Sequence, residues 1–216
     1  MALVDHWPLF GLRITTPRLE LRVPTDDDLA LLVELIADIH DPSTMPFAVP
    51  WTDVASPKRE GDALRHWWGA RAEMTVERWD LHLAVRCDGE LVGIQSIGAT
   101  DFPTLRQTNT GSWIGRSHHG RGIGTEMRRA VVHLAFAHLG AHDVLSAAFT
   151  DNVASQTVST RVGYEPNGMQ RSLRRGDPAD QIRYRLTRQR WEQTRTDLEI
   201  EVEGFEACRA MFGLDG

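Results

Sequence analysis

The segment His118-His119-Gly120-Arg121-Gly122-Ile123-Gly124-Thr125 sets three alternating glycines at the start of an apolar helical run. Glycine lets backbone approach a ligand where a Cβ would obstruct it. The free N–H groups of a helix N-terminus then favour an anion, and a phosphate suits both features. Glycines at this spacing also serve tight turns, so the surrounding chain must decide. A P-loop ends in Gly-Lys-Ser/Thr, whereas this helix begins Gly124-Thr125-Glu126 without the lysine. A dinucleotide loop follows the first strand, with an acidic residue about 20 positions later. This loop comes past mid-chain, behind an antiparallel-looking hairpin, and both patterns are disfavoured.

Other elements must hold that loop. Residues 11–23, GLRITTPRLELRV, alternate apolar and polar side chains and predict an opening strand, with Pro17 tolerated only at an edge or bulge. Pro24 stops it, Thr25 caps a helix, Asp26, Asp27 and Asp28 suit the positive end of its dipole, and LALLVELIADI supplies an apolar face. DPSTMPFAVPWTDVASP predicts an ordered loop held by Phe47 and Trp51 and placed to line a substrate pocket. A helix is expected over residues 58–76, and LHLAVRCDGELVGIQSIGA predicts two strands joined at Asp88-Gly89. The order then runs strand (111–115), glycine loop, helix (125–139), strand (143–149), helix (about 153–161), a turn at Gly163 and a strand around 181–186. A helix near 188–195 and a strand near 198–202 follow.

At 216 residues the chain can bury a core and a cleft without staples. The mixed order of elements predicts one α/β domain over 1–216, with a core over about 11–187 and an extension over about 188–216. No apolar run approaches the roughly 20 residues of a membrane span, and the N-terminus lacks the pattern of a secretory signal, so the expected location is cytoplasmic. Cys87 and Cys208 are too few for a disulfide framework, and no metal-ligand spacing is present. The net charge of −6 argues against a nucleic-acid partner.

The arrangement resembles the GCN5-related N-acetyltransferase (GNAT) superfamily, in which Gln/Arg-x-x-Gly-x-Gly/Ala binds the pyrophosphate of coenzyme A. His119-Gly120-Arg121-Gly122-Ile123-Gly124 matches it in the glycines, with His119 replacing the usual first residue. DNVAS at 151–155 and VSTRVGY at 158–164 are similar to the Asn-x-x-Ser helix start and closing Gly-Tyr/Phe of ribosomal-protein N-acetyltransferase-like members. WPLF, RITTPRL, MPF, VPW, DFP, GSW, GTEM and FTDN resemble a mycobacterial branch of the superfamily that includes a succinyltransferase.

The resemblance implies a mixed, mostly antiparallel sheet with flanking helices, whose central strands splay to admit the pantetheine arm. It implies acyl-CoA, carrying succinyl or acetyl, as co-substrate, and an amine on a small molecule, peptide or protein as acceptor. The alternatives are a CoA-binding regulatory module with little catalysis and an acetyltransferase of protein N-termini or lysines, and a homo-oligomer is compatible with each. Backbone N–H groups near Trp113, Ile114 or Gly115 would polarise the thioester carbonyl. His119, Gly120, Arg121, Gly122, Ile123, Gly124 and Thr125 would hold pyrophosphate, with Arg116 beside them. Asn152 would bond pantetheine amides and Ser155 would protonate the departing thiolate, with Tyr164 as a second acid. The local reading of Asn152 is a helix cap. Arg106 and Gln107 are the expected acyl-pocket donors for a succinyl carboxylate, with Arg116 a further donor flanking the same strand. Asp101, His118 and His119 are candidate bases, and Trp51 and Trp67 candidate edges of the acceptor cleft.

Overall fold

In the computed structural model, which describes residues 1–214, the segment 11–23 forms two strands rather than one: β1 (Arg13–Thr15) and β2 (Leu19–Arg22), paired antiparallel. Pro17 has no N–H for a ladder, and the chain reverses there. Leu19 N donates to Thr16 Oγ1 at 3.0 Å and Thr16 N to Leu19 O at 2.9 Å. α1 (Asp26–Leu35) starts at the expected cap, in reciprocal form: Asp28 N donates to Thr25 Oγ1 at 3.2 Å and Thr25 N to Asp28 Oδ2 at 2.8 Å.

The loop that follows is held by its aromatics, Phe47 and Trp51 lying 5.3 Å apart and Trp51 6.3 Å from Trp113. α2 (Lys58–Ala72) leads into the hairpin of β3 (Arg78–Cys87) and β4 (Glu90–Thr100). Its turn uses Asp88 and Gly89 at φ 51° and 85°, the left-handed pair that matches strand twist. A single turn, α3 (Phe102–Leu105), precedes β5 (Gln107–Ile114), which is longer than the stretch 111–115 expected. α4 (Ile123–His133) runs into a π-helical turn at Leu134–His138, then β6 (Asp143–Phe149) and α5 (Val153–Val162). β7 (Glu165–Arg174), β8 (Asp177–Thr187), α6 (Arg188–Thr194), β9 (Glu201–Glu203) and the turn α7 (Phe205–Cys208) complete the order. β7 had no counterpart in the sequence reading, because EPNGMQRSLR has no alternation and remains almost wholly exposed. It is a strand only through its pairing with β8.

Among the described residues nine strands form one sheet in the order β7-β8-β6-β5-β4-β3-β2-β1-β9. Among the described residues, β5 and β6 make the only parallel pair. One face packs α4 and the C-terminal segment through Met127, Val131, Phe136, Phe205 and Phe212 against Leu83, Val85 and Ile97. The other packs α1 and α2 through Leu29, Leu32, Ile36 and Trp67 against Ala84, Leu91 and Ile94. Among the described residues no helix is long and apolar enough to cross a membrane.

The parallel pair is short. β5 and β6 are in register only from Gln107↔Asp143 to Asn109↔Leu145. Beyond that, β6 stays with β8 as far as Phe149↔Gln181, while β5 stays with β4 as far as Ile114↔Gly93. Each strand therefore keeps its antiparallel partner and the two part from each other, opening a fork in mid-sheet. Gly93 is needed on the β4 side, since a Cβ there would fall 2.2 Å from Trp113 O.

Candidate active site

The fork opens onto a cleft of about 950 Å³ whose near end is the glycine loop. Gly120 and Gly122 take φ of 75° and 79°, left-handed values that a side chain would strain. The first hydrogen bonds of α4 come from Thr125 N and Glu126 N, both to Gly122 O at 3.1 Å. The amides before them have no place in the helical ladder and sit at its positive end. The loop is braced from behind by the β1–β2 turn: Glu126, 8% exposed, accepts from Thr16 Oγ1 at 2.7 Å and from Arg18 Nε at 2.9 Å, and Arg18 Nη1 donates to Arg121 O at 3.3 Å.

Nine of the candidate catalytic and cofactor-binding residues line this one cleft. They are Trp113 and Ile114 on β5; His119, Gly120, Gly122, Gly124 and Thr125 at the loop; and Asn152 and Ser155 at the start of α5. Asn152 is also the cap of α5, its Oδ1 accepting from Ser155 N at 3.1 Å, so the cap fixes where Ser155 sits. The strand register separates the three amides proposed to polarise a carbonyl. Gly115 N donates to Val92 O at 2.9 Å, and alternation along an antiparallel ladder turns the Trp113 amide toward β4 as well. Ser112 and Ile114 present theirs to the fork.

Other expected residues lie elsewhere. Arg106 and Gln107 are at the closed end, where β5 and β6 still pair, and do not line the cleft; Arg106 Nη1 reaches Leu139 O at 3.5 Å. Arg116 pairs with Asp38 at 2.9 Å, and Ile123 is fully buried. Arg121 is exposed, its Nη1 lying 3.2 Å from Nδ1 of the buried His118. Asp101 is exposed at the cap of α3, away from the cleft, and Trp67 lines a separate cavity of about 20 Å³ beside β3. Tyr164 is buried behind the lining, its hydroxyl 3.2 Å from Thr110 Oγ1. Burial pushes its phenol up, against the pull of the Arg128 charge. Of the candidate bases only His119 borders the cleft, with Nε2 3.1 Å from Ile114 O.

The far end of the cleft is built by contacts between distant segments. Arg174, near the β7–β8 turn, holds Asp151 with bonds of 2.8 and 2.9 Å and lies 4.3 Å from the Phe149 ring centroid. Arg175 holds Asp53 at 2.7 and 2.6 Å, tying the turn to the loop that carries Phe47. Phe47 lines the cleft as expected of that loop. The sequence reading missed Arg128, Ser112, Ser146 and Tyr184, which also line it. Arg128 is 3% exposed, with Nη1 3.0 Å from Ser146 Oγ and Nη2 3.1 Å from Ser112 Oγ. Among the described residues no group of three or more His, Cys, Asp or Glu is placed to hold a metal ion.

The model of the acetyltransferase (GNAT) domain aligns with residues 18–165, a span that holds the glycine loop, β5 and β6. The chain belongs to the GNAT acetyltransferase family. Among GNAT structures, Mycobacterium smegmatis RimJ in complex with CoA-disulfide superposes with a TM-score of 0.72 at 22% identity, over 94% of this chain and 95% of that one. RimL, a ribosomal L7/L12 alpha-N-protein acetyltransferase in complex with coenzyme A, gives 0.68 at 20% identity over 80% and 95%. YdaF of Bacillus subtilis (strain 168), named as a candidate ribosomal N-acetyltransferase, is 31% identical over 107 residues, 49% of this chain and 58% of that protein. The chain thus spans little more than half the length of this curated relative.

Proposed function

We propose that the protein transfers an acyl group from a coenzyme A thioester to a primary amine by direct attack in a ternary complex. Pyrophosphate would rest on the amides of Gly120 to Gly124, pantetheine would fill the fork as a surrogate strand, and the thioester carbonyl would meet the amides of Ser112 and Ile114. The neutral amine adds to that carbonyl, the C–N bond forms, the C–S bond breaks, and the thiolate takes a proton from Ser155 directly or through water, Ser155 regaining one from solvent.

The single observation that carries this reading is the continuity of the cleft, which joins the glycine loop, the unpaired edge of β5 and the Asn152–Ser155 helix start in one space. Its lining suits an anionic ligand: in a chain of net charge −6, it includes Arg128, Arg161 and Arg183 and, among the described residues, no Asp or Glu. Among the described residues the lining thus offers no carboxylate base, and proton removal from the amine falls to water or His119. The likeness to RimL and YdaF favours a protein α-amino group as acceptor.

The test is incubation with a panel of acyl-CoAs and amines, following CoA release together with acceptor mass. Matched release and acylation support the reading. Tight acyl-CoA binding without transfer to any amine would replace it with a regulatory CoA-binding role.

A further inference from the structure

Arg128 carries a charge that the fold leaves uncompensated. Its side chain rises from α4 into the fork and is 3% exposed, yet its partners are neutral: Gln95 Oε1 at 3.4 Å, Ser146 Oγ at 3.0 Å, Ser112 Oγ at 3.1 Å and the Tyr164 hydroxyl. Among the described residues no carboxylate forms an ion pair with it, and the cleft it lines contains none. Burying an ion away from water is costly, and neutral hydrogen bonds recover only part of that cost. A guanidinium has five N–H donors, so these contacts still leave it capacity for an anionic acceptor.

Its position says which anion. Ser112, one of the two β5 residues whose amide faces the fork, holds Arg128 Nη2 through its hydroxyl at 3.1 Å. A thioester carbonyl seated on that strand edge would direct its acyl chain toward the guanidinium, at the narrowing end of the fork and away from the glycine loop. Pyrophosphate is met at the opposite end, so Arg128 is left for the acyl chain.

We propose that Arg128 binds the free carboxylate of a dicarboxylic acyl group and that the preferred donor is the CoA thioester of a short dicarboxylic acid. This rests on the acyltransferase reading of the same cleft. Arg128 replaces Arg106 and Gln107 in the role of acyl-carboxylate partner, since those two sit outside the lining. It is a specificity residue and takes no part in bond making.

The test compares succinyl-CoA with butyryl-CoA, which have the same chain length and differ in the terminal carboxylate. Wild-type protein is expected to show a kcat/KM ratio of about 10 to 100 in favour of succinyl, the range of a charge-assisted hydrogen bond. Arg128→Gln keeps hydrogen bonding but removes the charge, and should bring that ratio toward one; a strut with a purely structural role would lower both rates together. Wild-type protein that uses butyryl-CoA as well as succinyl-CoA would overturn the proposal without any variant. Turnover of acetyl-CoA with no succinyl preference removes this inference and leaves the acyltransferase reading standing. Failure of every CoA ester to bind in calorimetric titration removes both.

Discussion

Arg18 Nε donates to Glu126 Oε2 at 2.9 Å, joining the turn after β1 to the first turn of α4 across 108 positions of sequence. Glu126 is thereby both a favourable charge at a helix N-terminus and the peg on which the TTPRL segment hangs. Glu126→Ala should leave Thr16 and Arg18 without their acceptor and cost about 1–3 kcal/mol in chemical denaturation. Because Arg18 also bonds the Arg121 carbonyl, CoA affinity measured by calorimetry should fall in the same variant.

Gly122→Val tests the loop itself. The position has φ 79° and caps α4. A β-branched residue there should cost about 1–3 kcal/mol in stability through backbone strain and weaken CoA binding at least tenfold. Circular dichroism establishes that the variant is folded, and unchanged CoA affinity in a folded variant would sink the pyrophosphate site.

Asn152 and Ser155 separate cap from chemistry. Asn152→Ala removes the bond to Ser155 N and should cost about 1 kcal/mol of stability. Ser155→Ala leaves that cap intact, because the cap uses the backbone of Ser155. It should lower kcat about a hundredfold, with KM for the acyl-CoA little changed, if the hydroxyl protonates the thiolate. An unchanged kcat in the folded Ser155→Ala variant would argue against that role.

Stability should fall on the acid side through Asp28. Burial alone would raise its pKa, but bonds from the Thr25 amide, Arg86 and the Thr25 hydroxyl outweigh it and hold the carboxyl below its usual range. A carboxyl depressed in the folded state contributes stability that is present above the unfolded value of about 3.9 and lost as pH falls through the folded value. Asp143, gripped by Arg185 at 2.9 and 2.8 Å, acts in the same direction. Denaturation midpoints measured across pH 2 to 6 should drop steeply below about pH 4, and the drop should be shallower in Asp28→Asn.

The cysteines should play no part in turnover. Both are buried, and burial pushes the Cys208 thiol up to about 11 and raises that of Cys87. Thiol reagents should react slowly with the folded protein, rapidly after unfolding, and leave initial rates unaltered.

What the sequence made legible was local. The glycines at 120 and 122 are required by backbone angle, the cap at Thr25 by its own side chain, and the β3–β4 turn by Asp88-Gly89; each can be read from a few neighbours. The fork was anticipated only through family resemblance, because it depends on β6 choosing β8 and β5 choosing β4 over one another. β7 was invisible because an exposed strand needs no apolar alternation. Arg106 and Gln107 were misplaced by proximity in sequence: the register sets Gln107 opposite Asp143, at the joined end of the fork. Arg128 was not singled out because nothing in the adjacent pair Arg128-Arg129 marks one arginine as buried, and only the packing of α4 beneath the sheet reveals it.

The central claim is direct transfer between CoA thioester and amine within the fork. It is tested most directly by rapid-quench single turnover with intact-protein and acceptor mass measured in the same samples. With acyl-CoA and a peptide bearing a free α-amino group, CoA release should match peptide acylation one for one; without the peptide, the protein mass should not change. An acylated protein that forms without acceptor and then decays into product would contradict direct attack, and CoA release with no acylated amine would contradict the transfer itself.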